Sequence, residues 1–392
     1  MRASTSIAVK SRSAPAPACI NSAVSGKDLG RFRRALLRWY DQHRRDLPWR
    51  ETRDPYRIWL SEIMLQQTRV AAVLEHYRIF LERFPNVQAL AAASEEAVLA
   101  AWSGLGYYRR ARMLRQAAQR IAEQHGGCFP RNSGALLALP GIGRYTAAAI
   151  ASIAFAEPVA VVDGNVERVL QRFIGINLTT PQTWRHAQVL LANSRPGDFN
   201  QAMMELGATV CVPREPRCPM CPVRKWCVTQ QPSQAAKSAI ALERRASSPG
   251  RASTKSKVRQ VNKEIWCVLN QRDNGIRLVQ RPKKSSLMPG MWELPQSAEP
   301  PRPLPASAHW HTFRHSITLT DYTVHVLRNT TAQIVWGRGG ACPERSRRAP
   351  SKRGIAPLPH KAAKGKWIAI DRIPKIPITG LTRKILKAGG II

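Results

Sequence analysis

Leu139-Pro140-Gly141-Ile142-Gly143-Arg144-Tyr145-Thr146 runs directly into the small-residue stretch AAAIASIAF (147–155). Two glycines just before a helix start let backbone N–H groups approach an anion such as a phosphate, and the helix dipole adds attraction. Taken alone, such a turn is also what joins two helices anywhere. Its surroundings are helical in period. From Leu29 to about Phe199 apolar residues recur at three, four or seven positions, and Trp59, Ile63, Val70, Leu74, Tyr77 and Leu81 are expected to form one buried stripe. Further helices are expected from Ser94, Asn132, Asp163 and Thr183, each a capping residue, and Gly126, Gly127 and Gly175 stand where helices should stop. The N-terminal half is therefore expected to be all-α.

The rest of the chain changes character. Residues 232–262 carry few large apolar side chains and many basic or small polar ones, which predicts a flexible linker. Beyond it, EIWCVLNQ and IRLVQR flank the turn signal Arg272-Asp273-Asn274-Gly275, and YTVHVL and KWIAI also read as strands, so residues 263–392 are expected to be α+β. A low-complexity basic insertion interrupts them at 337–354, and a basic tail, expected to be disordered, occupies 1–28. The 392 residues thus predict a multidomain protein, with a helical domain over 29–231.

With 61 Lys plus Arg against 25 Asp plus Glu, the formal charge is +36, which points to a polyanionic partner and foremost to nucleic acid. The absence of any run of about 18 apolar residues predicts no membrane span. No h-region or cleavage site marks the N-terminus, so a cytoplasmic protein is expected, nucleoid-associated in a bacterium. Of eight cysteines, Cys211, Cys218, Cys221 and Cys227 crowd into one loop, while Cys19, Cys128, Cys267 and Cys342 are scattered, a pattern of a metal or cluster site in a reducing compartment. One C-x2-C pair with two outer cysteines can wrap four thiolates around a compact centre. Four-cysteine zinc sites usually show two close pairs, and here there is one; spacing favours an iron–sulfur cluster and leaves zinc open.

Two carboxylates stand out. Asp163, in Val161-Val162-Asp163-Gly164-Asn165-Val166, follows an apolar run at an expected helix N-cap, where capping alone would account for it. Glu62, in Trp59-Leu60-Ser61-Glu62-Ile63-Met64-Leu65-Gln66-Gln67-Thr68, lies one turn from both Trp59 and Gln66 on an apolar segment. A carboxyl group so placed can be driven towards a raised pKa and act as an acid, although an exposed helical Glu is the commoner case.

In this order, the hairpin, the Asp and the four-cysteine loop resemble the helix-hairpin-helix DNA glycosylase superfamily, which includes endonuclease III. The resemblance is closer still to its adenine DNA glycosylase family, through LPWR (47–50), WLSEIMLQQT (59–68), GLGYYRRAR (104–112), LPGIGRYTAAAI (139–150), VVDGNVERVL (161–170) and FNQAMMELG (199–207), and it covers essentially residues 29–228. It implies an all-α helix-hairpin-helix domain whose loop 211–227 holds a [4Fe-4S] cluster on Cys211, Cys218, Cys221 and Cys227. It also implies removal of adenine from double-stranded DNA containing A:8-oxoguanine or A:G mispairs, by a protein expected to be a monomer. Glu62 would protonate the departing adenine and Asp163 would stabilise an oxocarbenium-like sugar, as cleavage of a glycosidic bond requires.

By the same resemblance Tyr145 and Asn165 orient these groups, Trp49, Arg50 and Glu205 shape the adenine pocket, and Gln67 and Tyr107 wedge into the stack vacated by the extruded base. Gln66, Gly141 and Gly143 join them as DNA-contacting residues. Lyase relatives carry Lys where this chain has Tyr145, which implies little or no strand cleavage. After the linker the family carries an α+β Nudix-like domain that reads oxidised guanine through a Phe-Ser-His loop; here the text is His311-Thr312-Phe313-Arg314-His315-Ser316, so Phe313, His315 and Ser316 are the candidate contacts and Arg314 replaces the expected Ser. No acidic Nudix box surrounds GMWELP (290–295), which argues against pyrophosphatase activity. Two other functions stay open: an endonuclease III-like glycosylase and lyase acting on oxidised pyrimidines, and a non-catalytic DNA-binding protein with a four-cysteine zinc module.

Overall fold

The computed structural model describes residues 26–230, 261–285, 287–300, 308–317, 320–329 and 365–392. The expected insertion at 337–354 lies outside the described residues, as do most of the expected tail and linker. The helices are α1 (Gly26–His43), α2 (Pro55–Leu65), α3 (Val70–Arg83), α4 (Val87–Ala92), α5 (Glu95–Ala101), α6 (Arg109–His125), α7 (Ser133–Leu136), α8 (Arg144–Phe155), α9 (Gly164–Ile174), α10 (Thr180–Leu190), α11 (Pro196–Thr209) and α12 (Gly380–Ala388). The strands are β1 (Val261–Arg272), β2 (Gly275–Gln280), β3 (Trp292–Glu293), β4 (Gln296–Ser297), β5 (His309–Ile317), β6 (Thr320–Asn329) and β7 (Lys366–Ala369). Two boundaries correct the sequence reading. Residues 26–28 of the expected tail are helical, with Asp28 in the first turn where a carboxylate meets the helix dipole favourably, and Val261 and Asn262 of the expected linker are strand, paired with Thr320 and Asp321.

The chain divides into two compact units. The first is drawn from Met1–Asp46, Arg131–Ser133 and Arg144–Ser248, the second from Leu47–Pro130, Gly134–Gly143 and Pro249–Ile392. The helical stretch expected over 29–231 thus contributes to both.

In the first unit, α1 turns Phe32, Leu36 and Tyr40 inward, one face at a spacing of four residues, against α9 and α11. Phe32 is the hub: its ring centroid lies 5.1 Å from that of Phe173 and 6.3 Å from that of Phe199. Full burial of each such ring is worth about 1.5–3 kcal/mol. A helix was expected from Thr183, but α10 starts earlier, because Thr179 and Gln182 form a capping box with Pro181 in the first turn. Thr183 is internal, and its hydroxyl donates to Thr179 O at 3.1 Å.

In the second unit, the expected stripe from Trp59 to Leu81 is broken. Helix α2 stops at Leu65 and α3 restarts at Val70 with a new phase, burying Val73, Tyr77 and Phe80 and leaving Leu74 39% exposed. The expected caps hold elsewhere: the Ser94 hydroxyl accepts from Ala97 N, and Gly126 closes α6 in the left-handed region at φ +58°. The strands join, among the described residues, in one sheet of order β3-β2-β1-β6-β5, with β4 on β1 and β7 on β2. Strands β1 and β6 run parallel, and β1 and β2 form the expected hairpin, Arg272 opposite Gly275. Ile385 and Leu386 of α12 pack on Ile265, Cys267 and Leu269 of β1. The same unit ties this strand-rich part to helices through the Ile378 carbonyl, which accepts from Ser103 Oγ at 2.9 Å and Tyr108 OH at 3.2 Å. No helix of the described residues is long and apolar enough to cross a membrane.

Candidate active site

Asp163 is the N-cap of α9, as its sequence context predicts. Its Oδ1 accepts from Val166 N at 2.7 Å, while Oδ2 accepts from Asn165 Nδ2 at 3.0 Å. Capping and a candidate chemical role therefore draw on one half-buried carboxylate, fixed at both oxygens. Asn165 is held in turn by Arg168, whose Nη2 donates to Asn165 Oδ1 at 2.9 Å and to Gly207 O at 2.7 Å, and whose Nε donates to Cys211 O at 2.9 Å. Arg168 escaped the sequence reading, although it stands one turn after Asn165 inside VVDGNVERVL, and that spacing was the available signal. Gly207 lets α11 come this close: a Cβ there would sit 2.6 Å from Asn165 Cβ.

The cysteine loop begins where this chain of contacts ends. Arg172 Nη1 reaches Cys211 Sγ at 3.4 Å and Val212 O at 2.7 Å, and Cys227 Sγ reaches Arg172 O at 3.5 Å. Burial pushes the Cys221 thiol up to about 11, and the neighbouring Cys227, Cys211 and Cys218 push it in the same direction; Cys227 is raised by burial and by Cys211 and Cys218. Cys221 and Cys227 thus feel the charge of the other thiols once these ionise, a repulsion that a cationic centre relieves. None of the four is in a disulfide, and among the described residues no group of three or more His, Cys, Asp or Glu is arranged to hold a metal ion.

Two other expected residues lie in this unit. Glu205 is fully buried, and Arg45 clamps it: Nε donates to Oε1 at 2.8 Å, Nη2 to Oε2 at 2.7 Å, and the Arg45 backbone N–H to Oε1 at 3.1 Å. The Tyr145 hydroxyl points to Met204 Sδ at 3.4 Å.

Glu62 belongs to the second unit. It is 6% exposed on α2, a helix that also buries Trp59, Ile63 and Met64, so it is not the exposed helical Glu of the commoner case. Beyond it the backbone leaves the helix, and Gln67 adopts φ +56°. Tyr107 adopts φ +46° and is 58% exposed. Arg110, another residue the sequence reading missed, sits between these two segments and donates to carbonyls of both. Trp49 packs edge-on against Tyr77, with centroids 5.3 Å apart, and is 6% exposed; Arg50 beside it is half-buried. In the glycine hairpin Leu139 and Ile142 point inward while Gly141 and Gly143 are exposed, so the backbone of the turn faces outward. Gly141 needs its lack of a side chain: φ is +75° and a Cβ would sit 2.6 Å from Met113 Cβ.

One expectation is corrected. Residues 313–316 are strand rather than loop, because β5 pairs with β6 through Phe313 opposite Val324, His315 opposite Tyr322 and Ser316 opposite Asp321. Alternation puts Phe313 and His315 on the half-buried face and Arg314 and Ser316 on the exposed one. Lys384 Nζ lies 4.2 Å from the Phe313 ring centroid, burial first and then Lys384 lower the His315 pKa, and the Ser316 hydroxyl is bonded to Asp321.

Residues 60–192 match the model of the HhH-GPD superfamily base excision DNA repair protein. The human adenine DNA glycosylase is 50% identical over 215 residues, which are 51% of this chain and 39% of that protein. The Arabidopsis thaliana adenine DNA glycosylase is 38% identical over 317 residues, 70% of this chain and 49% of that protein. The chain therefore spans less than half the length of these two curated relatives. Among solved structures, a thermostable thymine-DNA glycosylase superposes with a TM-score of 0.50 at 32% identity, over 53% of this chain and 99% of that one.

Proposed function

This chain belongs to the HhH-GPD superfamily of base excision DNA repair proteins, and we propose that it is an adenine DNA glycosylase that extrudes adenine mispaired with 8-oxoguanine, or with guanine, and hydrolyses its N-glycosidic bond. The observation that carries this reading is the fixed carboxylate of Asp163. A group held through both oxygens at a helix N-cap keeps its position while positive charge builds on the sugar, and such preorganised electrostatics are the largest single contribution in most enzymes. Glu62 gives a proton to the departing base, the bond from sugar to base nitrogen breaks, and water supplies the hydroxyl that the sugar carbon gains while its other proton returns to the Glu62 carboxylate. Asn165 orients Asp163. At position 145 the chain offers a phenol and no amine, so no Schiff base forms with the sugar and the strand is not nicked.

Cys211, Cys218, Cys221 and Cys227 would hold a [4Fe-4S] cluster, a reading supported by their spacing in one loop and by the pull of the other three thiols on Cys221; the cluster would supply a structural centre that orders the loop for DNA binding. The strand-rich part, a Nudix-like domain, reads the oxidised guanine from β5, where Phe313, His315 and Ser316 stand. The protein works on double-stranded DNA as a monomer.

The test is single-turnover base release from duplexes carrying adenine opposite 8-oxoguanine, with and without hot alkali, beside a thymine-glycol duplex. The expected result is cleavage of the adenine strand only, and only after alkali. Nicking of the oxidised pyrimidine without alkali would instead establish a lyase. Replacing Glu62 by Gln is expected to abolish release while DNA binding, followed by gel shift, survives.

A further inference from the structure

Two exposed side chains of the second unit sit on strained backbone. Gln67 and Tyr107 both lie at positive φ, +56° and +46°, where residues other than glycine persist only if their surroundings hold them. One guanidinium bridges the segments that carry both. Arg110 Nη1 donates to Ile63 O at 2.7 Å, Met64 O at 3.0 Å and Gln66 O at 2.6 Å. Its Nη2 donates to Thr68 Oγ1 at 3.2 Å, Leu105 O at 3.1 Å and Gly106 O at 3.3 Å. These partners flank Gln67 on both sides and lead up to Tyr107. Two of them are carbonyls that the end of α2 leaves without helical donors.

The cation also lies 5.4 Å from the Trp102 ring centroid and 5.6 Å from that of Tyr107. Burial pushes its pKa down to about 10, so it remains charged near neutrality. A planar fork of donors is needed to reach both segments at once, and an ammonium is a single point.

We infer that Arg110 is a positioning residue that ties Gln67 and Tyr107 into one rigid wedge, and that it governs extrusion of the base rather than cleavage of its bond. The inference rests on the glycosylase function proposed above. A wedge must be stiff at the moment it displaces a stacked base, since a side chain on a yielding loop would move aside. Tyr107, 58% exposed and backed by the cation, offers its ring as a stacking platform.

The experiment compares wild type with Arg110→Lys on two duplexes, one with adenine opposite 8-oxoguanine and one with adenine opposite an abasic analogue, where extrusion meets no base pair. A third duplex carries 2-aminopurine beside a target adenosine whose 2′-fluoro sugar resists hydrolysis, and its fluorescence on protein binding reports extrusion alone. Arg110→Lys is expected to slow release from the paired duplex roughly 10- to 100-fold, to slow release from the unpaired one less than about threefold, and to lose the fluorescence rise. Equal slowing on both duplexes, or none on either, would overturn the clamp. Should wild type release no adenine from either duplex, the proposed function fails instead, and the fluorescence alone judges the clamp: an equal rise in both proteins overturns it and a loss in the variant upholds it. Thr68→Val, which keeps the guanidinium and removes one acceptor, covers misfolding of the first variant. It is expected to shift the paired-to-unpaired rate ratio in the same direction by a smaller factor, and an unchanged ratio would overturn the proposal.

Discussion

Asp163 carries two duties on one side chain, and they can be separated. Asn caps a helix as well as Asp does but offers one acceptor oxygen, so Asp163→Asn keeps the cap, loses the bond from Asn165 Nδ2 and is expected to cost about 0.5–1.5 kcal/mol while it removes the charge. Loss of a preorganised group aimed at developing charge costs on the order of 100- to 1,000-fold in rate. Thermal melting beside single-turnover release checks both halves, and a large drop in melting temperature with normal release would reverse the assignment. Gly207 offers a subtler probe. In Gly207→Ala the new methyl would press on Asn165 at 2.6 Å, and overpacking of this kind costs about 1–3 kcal/mol. The expected result is a lower melting temperature together with slower release, because the displaced side chain is the one that holds Asp163 Oδ2.

Elements were legible in the sequence wherever a local signal ended them. Ser94, Asp163, Gly126 and Gly175 mark real boundaries because caps act within one turn, and the Asp273-Asn274 turn joins β1 to β2 for the same reason. The break between α2 and α3 was illegible. Gln66 to Arg69 contain neither glycine nor proline, and the interruption is held by Arg110, a residue more than forty positions away whose contacts no local pattern announces. The β5 residues were placed in a loop by resemblance, whereas their pairing with β6 depends on a partner strand. The four-cysteine loop was singled out by spacing alone; in the structure burial first, and the neighbouring thiols after it, raise Cys221 and Cys227. Cys221→Ser is expected to abolish iron incorporation, measured by metal analysis and visible absorbance, and to lower soluble yield. Stoichiometric zinc in the wild-type protein would replace the cluster by the other four-thiolate chemistry.

For the molecule as a whole, the charge of +36 sets how it meets DNA. Each phosphate neutralised adds roughly −0.9 to the slope of log affinity against log salt, so titration with a matched duplex is expected to give a steep negative slope shared by specific and unrelated sequences. A slope near zero would show that the basic residues are not engaged. The order in which the first unit is assembled matters as well. Its core joins Phe32, Leu36 and Tyr40 of α1 to Phe173 and Phe199, partners that lie more than 130 residues further along the chain. On the ribosome, at about 5–20 residues per second, α1 emerges roughly seven to thirty seconds before the surface it covers. During that interval a greasy helical face has no native place to go, and a contact map this non-local also slows the search once synthesis ends. The nascent chain is therefore expected to lean on chaperones, and α1 is the segment they would hold.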